Sequence, residues 1–127
     1  MHAGWKGALQ GVACKALEIM RQEFSTDFNN LRVFFGPSIK PCCYKVRDDF
    51  VKQFATVDYA GTFFCKRGND IFFDLPGFNK AQLEKFGLSK ESFLLDYNFC
   101  TACNEQFCSN RRDGKSAGRQ MTVISLK

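Results

Sequence analysis

The 127-residue chain contains one histidine, one tryptophan and three prolines, few of the residues that several common sites require. A single histidine excludes a metal centre built from several imidazoles of this chain, so no chain-internal multi-copper centre is expected. No uninterrupted apolar run approaches the roughly 18 residues of a membrane-spanning helix. Residues 1–7 also lack the apolar segment of a signal peptide. These absences favour a cytoplasmic protein with no membrane partner.

The composition is that of a globular protein, with 45% hydrophobic and 24% charged residues. The length fits a single domain or part of one. Eighteen basic residues against 13 acidic ones give a net charge of +5, but the basic residues are scattered, so a nucleic-acid partner is not expected. Seven cysteines, an odd number, without a secretory signal indicate free thiols in a reducing compartment.

The spacing of apolar residues predicts a mixture of helices and hairpins. Apolar residues recur at three- and four-residue steps over 8–24, which predicts one amphipathic helix. Shorter helices are predicted for 47–54 and for 78–86, the latter ending before Gly87. Residues 67–70 have the composition of a hairpin turn. Strands are predicted for the apolar segments 31–35, 62–66, 71–75, 92–97 and 120–126. This order predicts an α+β fold with mixed β-sheets flanked by helices.

His2 stands before a glycine turn and a predicted helix, an arrangement typical of the far end of a strand–turn–helix unit. We therefore expect the first strands of the fold to be missing from this chain. His2 is also the only imidazole available to bind a ligand. It is either an unattached terminal residue or part of a site where the turn approaches a ligand and the helix N-terminus attracts an anion.

The cysteines allow more than one interpretation. Cys100 and Cys103 have the CxxC spacing that can hold zinc or undergo redox cycling. Cys42 and Cys43 can in principle complete a four-thiolate site, although vicinal cysteines seldom bind one tetrahedral ion together. Buried thiols are therefore the favoured interpretation, and a structural zinc and a redox pair are the alternatives. Packing roles are also predicted for the remaining cysteines, Cys14, Cys65 and Cys108.

Two polar segments are further candidates for function. Residues 109–115 are dense in hydrogen-bond donors, and the forks of Arg111 and Arg112 can clamp a phosphate or carboxylate. The alternative is a solvated loop. Asp74 follows an apolar strand and is predicted to begin a turn or to cap the helix after it.

Four segments resemble motifs of the laccase-domain family, also called the multicopper polyphenol oxidase or YfiH-type family, which includes purine nucleoside phosphorylases. HAGWKG at 2–7 resembles the family's HAGWxG, and 36–46 resembles GPxIxPCCYEV. Residues 74–83 are similar to DLxxxNxxQL, and 100–113 to CTxC…FFSxRRD. The resemblance covers the whole chain but only about the C-terminal half of a family member. The departures are Lys45 for Glu, Cys108 for the second Phe, and Pro76-Gly77 in place of bulkier residues.

The resemblance implies a YfiH-like fold and a zinc-dependent cytoplasmic enzyme. Family members cleave adenosine, inosine, guanosine or methylthioadenosine with phosphate, and many deaminate adenosine. Their metal is held by two histidines and a cysteine, and His2 is the one catalytic and metal-binding position carried over. The other ligands belong to an upstream segment, so the 127-residue chain by itself is expected to bind zinc poorly and to be inactive. Copper is implied by the family name alone and is not expected.

The same resemblance gives the expected partners and the competing functions. Purine nucleoside and phosphate are the expected ligands, with Arg111 and Arg112 as the candidates for holding phosphate. The missing N-terminal half or a second copy of the chain is the expected protein partner. The alternatives are a non-catalytic remnant that serves as a binding module, and a Cys–His hydrolase acting on cell-wall precursors.

Overall fold

Short helices and strands alternate along residues 1–125, which the computed structural model describes. The helices are α1 (Trp5–Leu9), α2 (Val12–Phe24), α3 (Asp48–Gln53), α4 (Leu75–Phe86) and α5 (Asn110–Asp113). The strands are β1 (Val33–Phe34), β2 (Lys45–Val46), β3 (Phe64–Arg67), β4 (Asp70–Phe73) and β5 (Phe93–Leu94). Single 3-10 turns lie at Phe28–Asn30, Ala60–Phe63, Lys90–Ser92 and Gly114–Ser116. None of the helices within these residues is long and apolar enough to cross a membrane.

The strands form one parallel and one antiparallel sheet. β1 and β5 pair in parallel, with Val33 opposite Phe93. The other sheet has the order β2-β4-β3 and is antiparallel throughout. Its hairpin pairs Arg67 with Asp70 across a turn in which Gly68 takes a left-handed φ of 59°. The predicted α+β fold with mixed sheets and the predicted hairpin at 67–70 are both confirmed.

Two apolar clusters hold these elements together. The first, termed the aromatic core, joins α1, α3, α4 and the antiparallel sheet, and its buried members are Ala8, Tyr44, Val46, Phe54, Ala60, Phe73, Leu75 and Phe78. The second lies between α2, α4 and β5, with Ala13, Leu17, Leu83, Leu88 and Phe93 buried. α4 contributes to both clusters, so its placement connects the two parts of the chain.

The prediction of one continuous helix over 8–24 is wrong, because the chain forms α1 and α2 with a break between them. Gly11 lies at the break with a left-handed φ of 68°, which no α-helix interior contains. The two helices serve different clusters: Ala8 lies in the aromatic core, whereas Ala13 and Leu17 lie in the second cluster. A straight helix would not direct its apolar residues into both.

The predicted strand at 120–126 is also wrong for residues 120–125. Its last residue, Leu126, lies outside the described residues. Residues 120–125 have no strand partner within the part of the chain that the structure describes. Gln120 instead bonds through its side chain, accepting from the amide of Cys108 at 3.1 Å and donating to the carbonyl of Pro37 at 3.4 Å. The apolar residues that suggested a strand, Met121, Val123 and Ile124, are exposed.

Helix α4 begins three residues earlier than predicted because Asp74 caps it. The Asp74 carboxylate accepts a hydrogen bond from the amide of Gly77 at 3.0 Å. Pro76 lies in the first turn, where its missing N–H removes no helical bond. A Cβ at Gly77 would collide with the Asp74 carboxylate, so the glycine allows this close approach. The predicted helix end at Gly87 is confirmed, with φ of 119° there.

Replacing Asp74 by alanine is expected to lower the free energy of unfolding by about 1 kcal/mol, because the Gly77 amide loses its acceptor. Asp74→Asn keeps an acceptor oxygen and is the matched control, with an expected change of only a few tenths of a kcal/mol. Urea denaturation of the three proteins measures both values. Equal losses in the two variants would contradict the capping role.

Candidate functional site

His2 is exposed at the edge of an open cavity at the start of α1. The cavity measures about 320 Å³ and is lined by His2, Gly4, Trp5, Lys6 and Gly7. A Cβ at Gly4 would lie 2.9 Å from Nε2 of His2, so any other residue at this position would require the exposed imidazole to shift. The glycine therefore lets the imidazole fold back over the turn. α1 itself has only five residues, so the expected long helix directing its N-terminus at an anion is absent.

His2 does not complete a metal site within the part of the chain that the structure describes. A catalytic zinc typically has three protein ligands and one open position. Among residues 1–125, the one cluster of three or more potential metal-ligating side chains consists of cysteines and does not include His2. The residues around His2 therefore do not fit a catalytic zinc unless ligands come from outside these residues.

A series of ring contacts connects the turn that follows His2 to the segment that carries Arg111 and Arg112. Trp5 packs against Phe50 with ring centroids 5.2 Å apart, and Phe50 contacts Tyr44 edge-on at 5.9 Å. The Arg111 guanidinium lies over the Tyr44 ring, 5.0 Å from its centroid. Burial raises the pKa of Tyr44, and the nearby Arg111 charge offsets part of that rise. Three of the motif segments identified in the sequence are thus connected, the first two through Phe50 and the last two by the contact of Tyr44 with Arg111.

Arg111 and Arg112 are sequence neighbours with different environments. Arg111 donates through Nη1 to the carbonyl of Lys45 at 2.7 Å. Its Nε and Nη2 have no hydrogen-bond partner among residues 1–125. Two donors of this exposed guanidinium are therefore available to a ligand.

The guanidinium of Arg112 is already occupied. It donates to the carbonyls of Thr101, Asn104 and Phe107 at 3.0, 3.3 and 2.9 Å. It also forms a bidentate pair with Asp113 at 2.7 and 2.8 Å, which raises the pKa of Arg112 and lowers that of Asp113. Residues 110–113 are consequently a short helix tied to the 101–107 loop, and not the solvated loop that was the alternative.

Four cysteines converge on one point, which the sequence did not lead us to favour. The Sγ atoms of Cys42, Cys43, Cys100 and Cys103 all lie within 4.8 Å of one another. Cys103 approaches Cys43 to 3.1 Å and Cys42 to 3.4 Å. Cys42 and Cys103 are exposed, so the preferred interpretation of buried thiols is wrong for both. The vicinal pair does face the CxxC pair, and this cluster can hold a metal ion.

Burial and hydrogen bonds shift the pKa values of Cys42, Cys43 and Cys100 in different directions. Burial raises the pKa of Cys100, but hydrogen bonding from the backbone of Lys40, Cys103 and Ala102 has the larger, opposite effect. The net result is a pKa lowered to about 6. The hydrogen bond with Cys103, together with burial, raises the pKa of Cys43 to about 11. The pKa of Cys42 is raised by desolvation of its thiol, although the residue as a whole is exposed, and by hydrogen bonds with Cys100 and Cys103. Among these three thiols, that of Cys100 therefore ionises most readily.

The remaining cysteines are separate from this cluster. Cys14 is half-buried on α2, where burial raises its pKa and its thiol lies 3.6 Å from the carbonyl of Gln82. Cys108 is also half-buried. Cys65 is exposed on β3, so its predicted packing role is wrong: it occupies the solvent side of the hairpin.

Comparison with known proteins identifies relatives along the whole chain. A family model described as Multi-copper polyphenol oxidoreductase laccase matches residues 1–127. The human protein named Purine nucleoside phosphorylase LACC1 is 32% identical over 130 residues, covering 99% of this chain and 30% of that protein. The Aquifex aeolicus Purine nucleoside phosphorylase is 33% identical, covering 99% of this chain and 55% of its relative. A prokaryotic protein named Adenosine deaminase RL5 is 28% identical, with 99% and 49% covered.

A solved structure matches the fold. The crystal structure of YlmD from Geobacillus stearothermophilus superimposes with a TM-score of 0.79 at 28% identity, covering 92% of this chain and 44% of that one. The chain spans 30% to 55% of the length of the curated relatives described above.

Proposed function

The chain belongs to the multi-copper polyphenol oxidoreductase laccase family, and on that premise we propose that it is the C-terminal part of a purine nucleoside phosphorylase domain. The observation that carries the proposal is the contact series from Trp5 through Phe50 and Tyr44 to Arg111. These contacts would hold the cavity beside His2 and the available guanidinium of Arg111 at a fixed relative position. An enzyme that cleaves a nucleoside with phosphate needs a nucleoside pocket and an anion-binding group at a fixed relative position.

In phosphorolysis, a phosphate oxygen forms a bond to the anomeric carbon of the sugar. The glycosidic carbon–nitrogen bond breaks, and the purine leaves with the electron pair and takes up a proton. The products are a free purine and a sugar phosphate. Arg111 would hold the phosphate through its two available donors, since charge-assisted bonds to guanidinium are strong and directional. Arg112 would position Arg111 by tying α5 to the 101–107 loop.

His2 would contribute an imidazole at the cavity edge, with zinc as the proposed cofactor of the complete domain. Residues 1–125 do not supply the other ligands beside it. These ligands would come from the remainder of the domain or from a second copy of the chain. The contribution of this chain to the reaction is therefore to bind and orient the nucleoside and phosphate.

Arg111→Ala is expected to raise the apparent KM for phosphate about ten- to a hundred-fold, because a charge-assisted pair is lost. Arg111→Lys is expected to restore part of the affinity, since lysine keeps the charge and loses the fork. Steady-state phosphorolysis of the full-length protein with varied phosphate measures both. Arg112→Ala is the comparison variant: it is expected to lower the melting temperature, because α5 loses its bonds to the 101–107 loop, and to raise the phosphate KM less than Arg111→Ala does. An unchanged phosphate KM in Arg111→Ala would overturn the assignment.

Adenosine deamination is a second proposed activity, supported by the relative named as an adenosine deaminase. Product analysis with adenosine separates the two reactions. Adenine with ribose phosphate indicates phosphorolysis, and inosine with ammonia indicates deamination. Release of an amino acid from a cell-wall peptide, with no reaction of nucleosides, would instead establish the hydrolase alternative.

A further inference from the structure

We propose that Cys42, Cys43, Cys100 and Cys103 bind one zinc ion in a structural site that is separate from His2. The two pairs of cysteines are about 60 residues apart in sequence, and their sulfur atoms nevertheless share one small region. The inference does not depend on the proposed enzymatic function, since it concerns the folding of two loops and not the reaction.

The spacing of the sulfur atoms matches a single tetrahedral ion. With zinc–sulfur bonds of about 2.3 Å, the sulfur atoms of a tetrahedral site are about 3.8 Å apart. The observed separations include 3.1 and 3.4 Å, and all lie within 4.8 Å. Small side-chain movements would therefore bring the four atoms to the required distances. Four protein ligands leave no open position, which is typical of a structural and not a catalytic site.

Backbone hydrogen bonds hold the two ligand pairs in place without the metal. The amides of Cys43 and Tyr44 both donate to the carbonyl of Lys40 at 2.9 Å, which forms the turn carrying the vicinal pair. Ser38 pairs with the CxxC loop, donating to Phe99 at 3.0 Å and accepting from Thr101 at 3.1 Å. The polypeptide thus brings the ligands together, and binding the ion requires little reorganisation.

Nearby cations would balance the charge of the loaded site. Zinc binding forms four Zn–S bonds and releases to solvent the protons that the thiols still carry, leaving a net charge of 2− at the site. Arg67 reaches the turn through a bond to the carbonyl of Cys42 at 3.5 Å. Arg112 donates to the carbonyls of Thr101 and Asn104 on the other side. Both guanidinium groups would attract the charged site.

The test measures metal by mass spectrometry in purified, reduced full-length protein carrying His2→Ala, which removes the other candidate ligand. One zinc per chain is expected to remain. Adding Cys103→Ser or Cys42→Ser is expected to remove it, whereas Cys65→Ser, which changes another exposed cysteine outside the cluster, is expected to retain it. Cobalt substitution provides a second measurement, because a tetrahedral thiolate site gives an intense sulfur-to-cobalt charge-transfer absorption. Circular dichroism confirms that each variant is folded.

Several results would overturn the proposal. One is metal below stoichiometry in the reduced protein even after incubation with zinc and removal of the free ion. Another is zinc that persists in a folded Cys103→Ser, Cys42→Ser double variant. A visible absorption spectrum of thiolate-bound iron in the purified protein would show that the cluster binds iron and not zinc. Disulfides between the two pairs, together with failure to take up cobalt after reduction, would establish a redox pair instead.

Discussion

His2→Ala in the full-length protein is expected to abolish both phosphorolysis and deamination. Both reactions are proposed to use the cavity that His2 borders. Removal of a group that only supports a metal ligand typically costs about 10- to 100-fold in activity or affinity, so loss of the ligand itself should exceed that range. Initial rates with adenosine measure the two activities. Metal analysis of the same sample should show one zinc lost and the cysteine-bound zinc retained.

Lys15→Ala provides the control, because Lys15 is exposed on α2 and does not line the cavity. It should leave both activities unchanged. Survival of phosphorolysis with loss of deamination in His2→Ala would contradict a shared site. It would also leave Arg111 as the group on which the phosphorolysis proposal depends.

Local signals in the sequence predicted the parts of the fold that depend on neighbouring residues. The hairpin at 67–70 and the end of α4 at Gly87 both require a left-handed residue, which glycine provides, so each could be predicted. The break at Gly11 could not, because the apolar spacing continues across it. Only the division of Ala8 and Leu17 between two clusters shows that the chain must turn there.

The candidate site depends more on contacts between distant residues. Cys100 and Cys103 were recognisable as a pair from their spacing, but their meeting with Cys42 and Cys43 depends on the parallel bridge between Ser38 and Cys100. Nothing in the sequence near either pair indicates that bridge.

The two arginines show the same limit. Arg111 and Arg112 were equivalent phosphate candidates in the sequence. Ser109 caps α5 and thereby sets the direction of both side chains. Arg111 keeps an available guanidinium, whereas the guanidinium of Arg112 is occupied by bonds to the 101–107 loop. A single residue of rotation along α5 therefore decides which side chain can meet a ligand.

Phe73→Ala is expected to lower the free energy of unfolding by about 3–5 kcal/mol, a large part of the roughly 5–15 kcal/mol that stabilises a typical domain. Phe73 is completely buried, and its ring contacts five others: Tyr44, Phe50, Phe54, Phe64 and Phe78. Truncation would leave a cavity where α3, α4 and the antiparallel sheet meet. Urea denaturation, with the slope compared between proteins, measures the loss.

The matched control is Phe24→Ala at the end of α2, where the residue is 74% exposed and the expected change is within about 0.5 kcal/mol. A similarly small change in Phe73→Ala would contradict its central position in the aromatic core.

The consequence for function follows from Tyr44, which packs on Phe73 and lies under Arg111. Loss of the Phe73 ring removes the support of Tyr44, so phosphate affinity should fall in this variant even at temperatures where it stays folded.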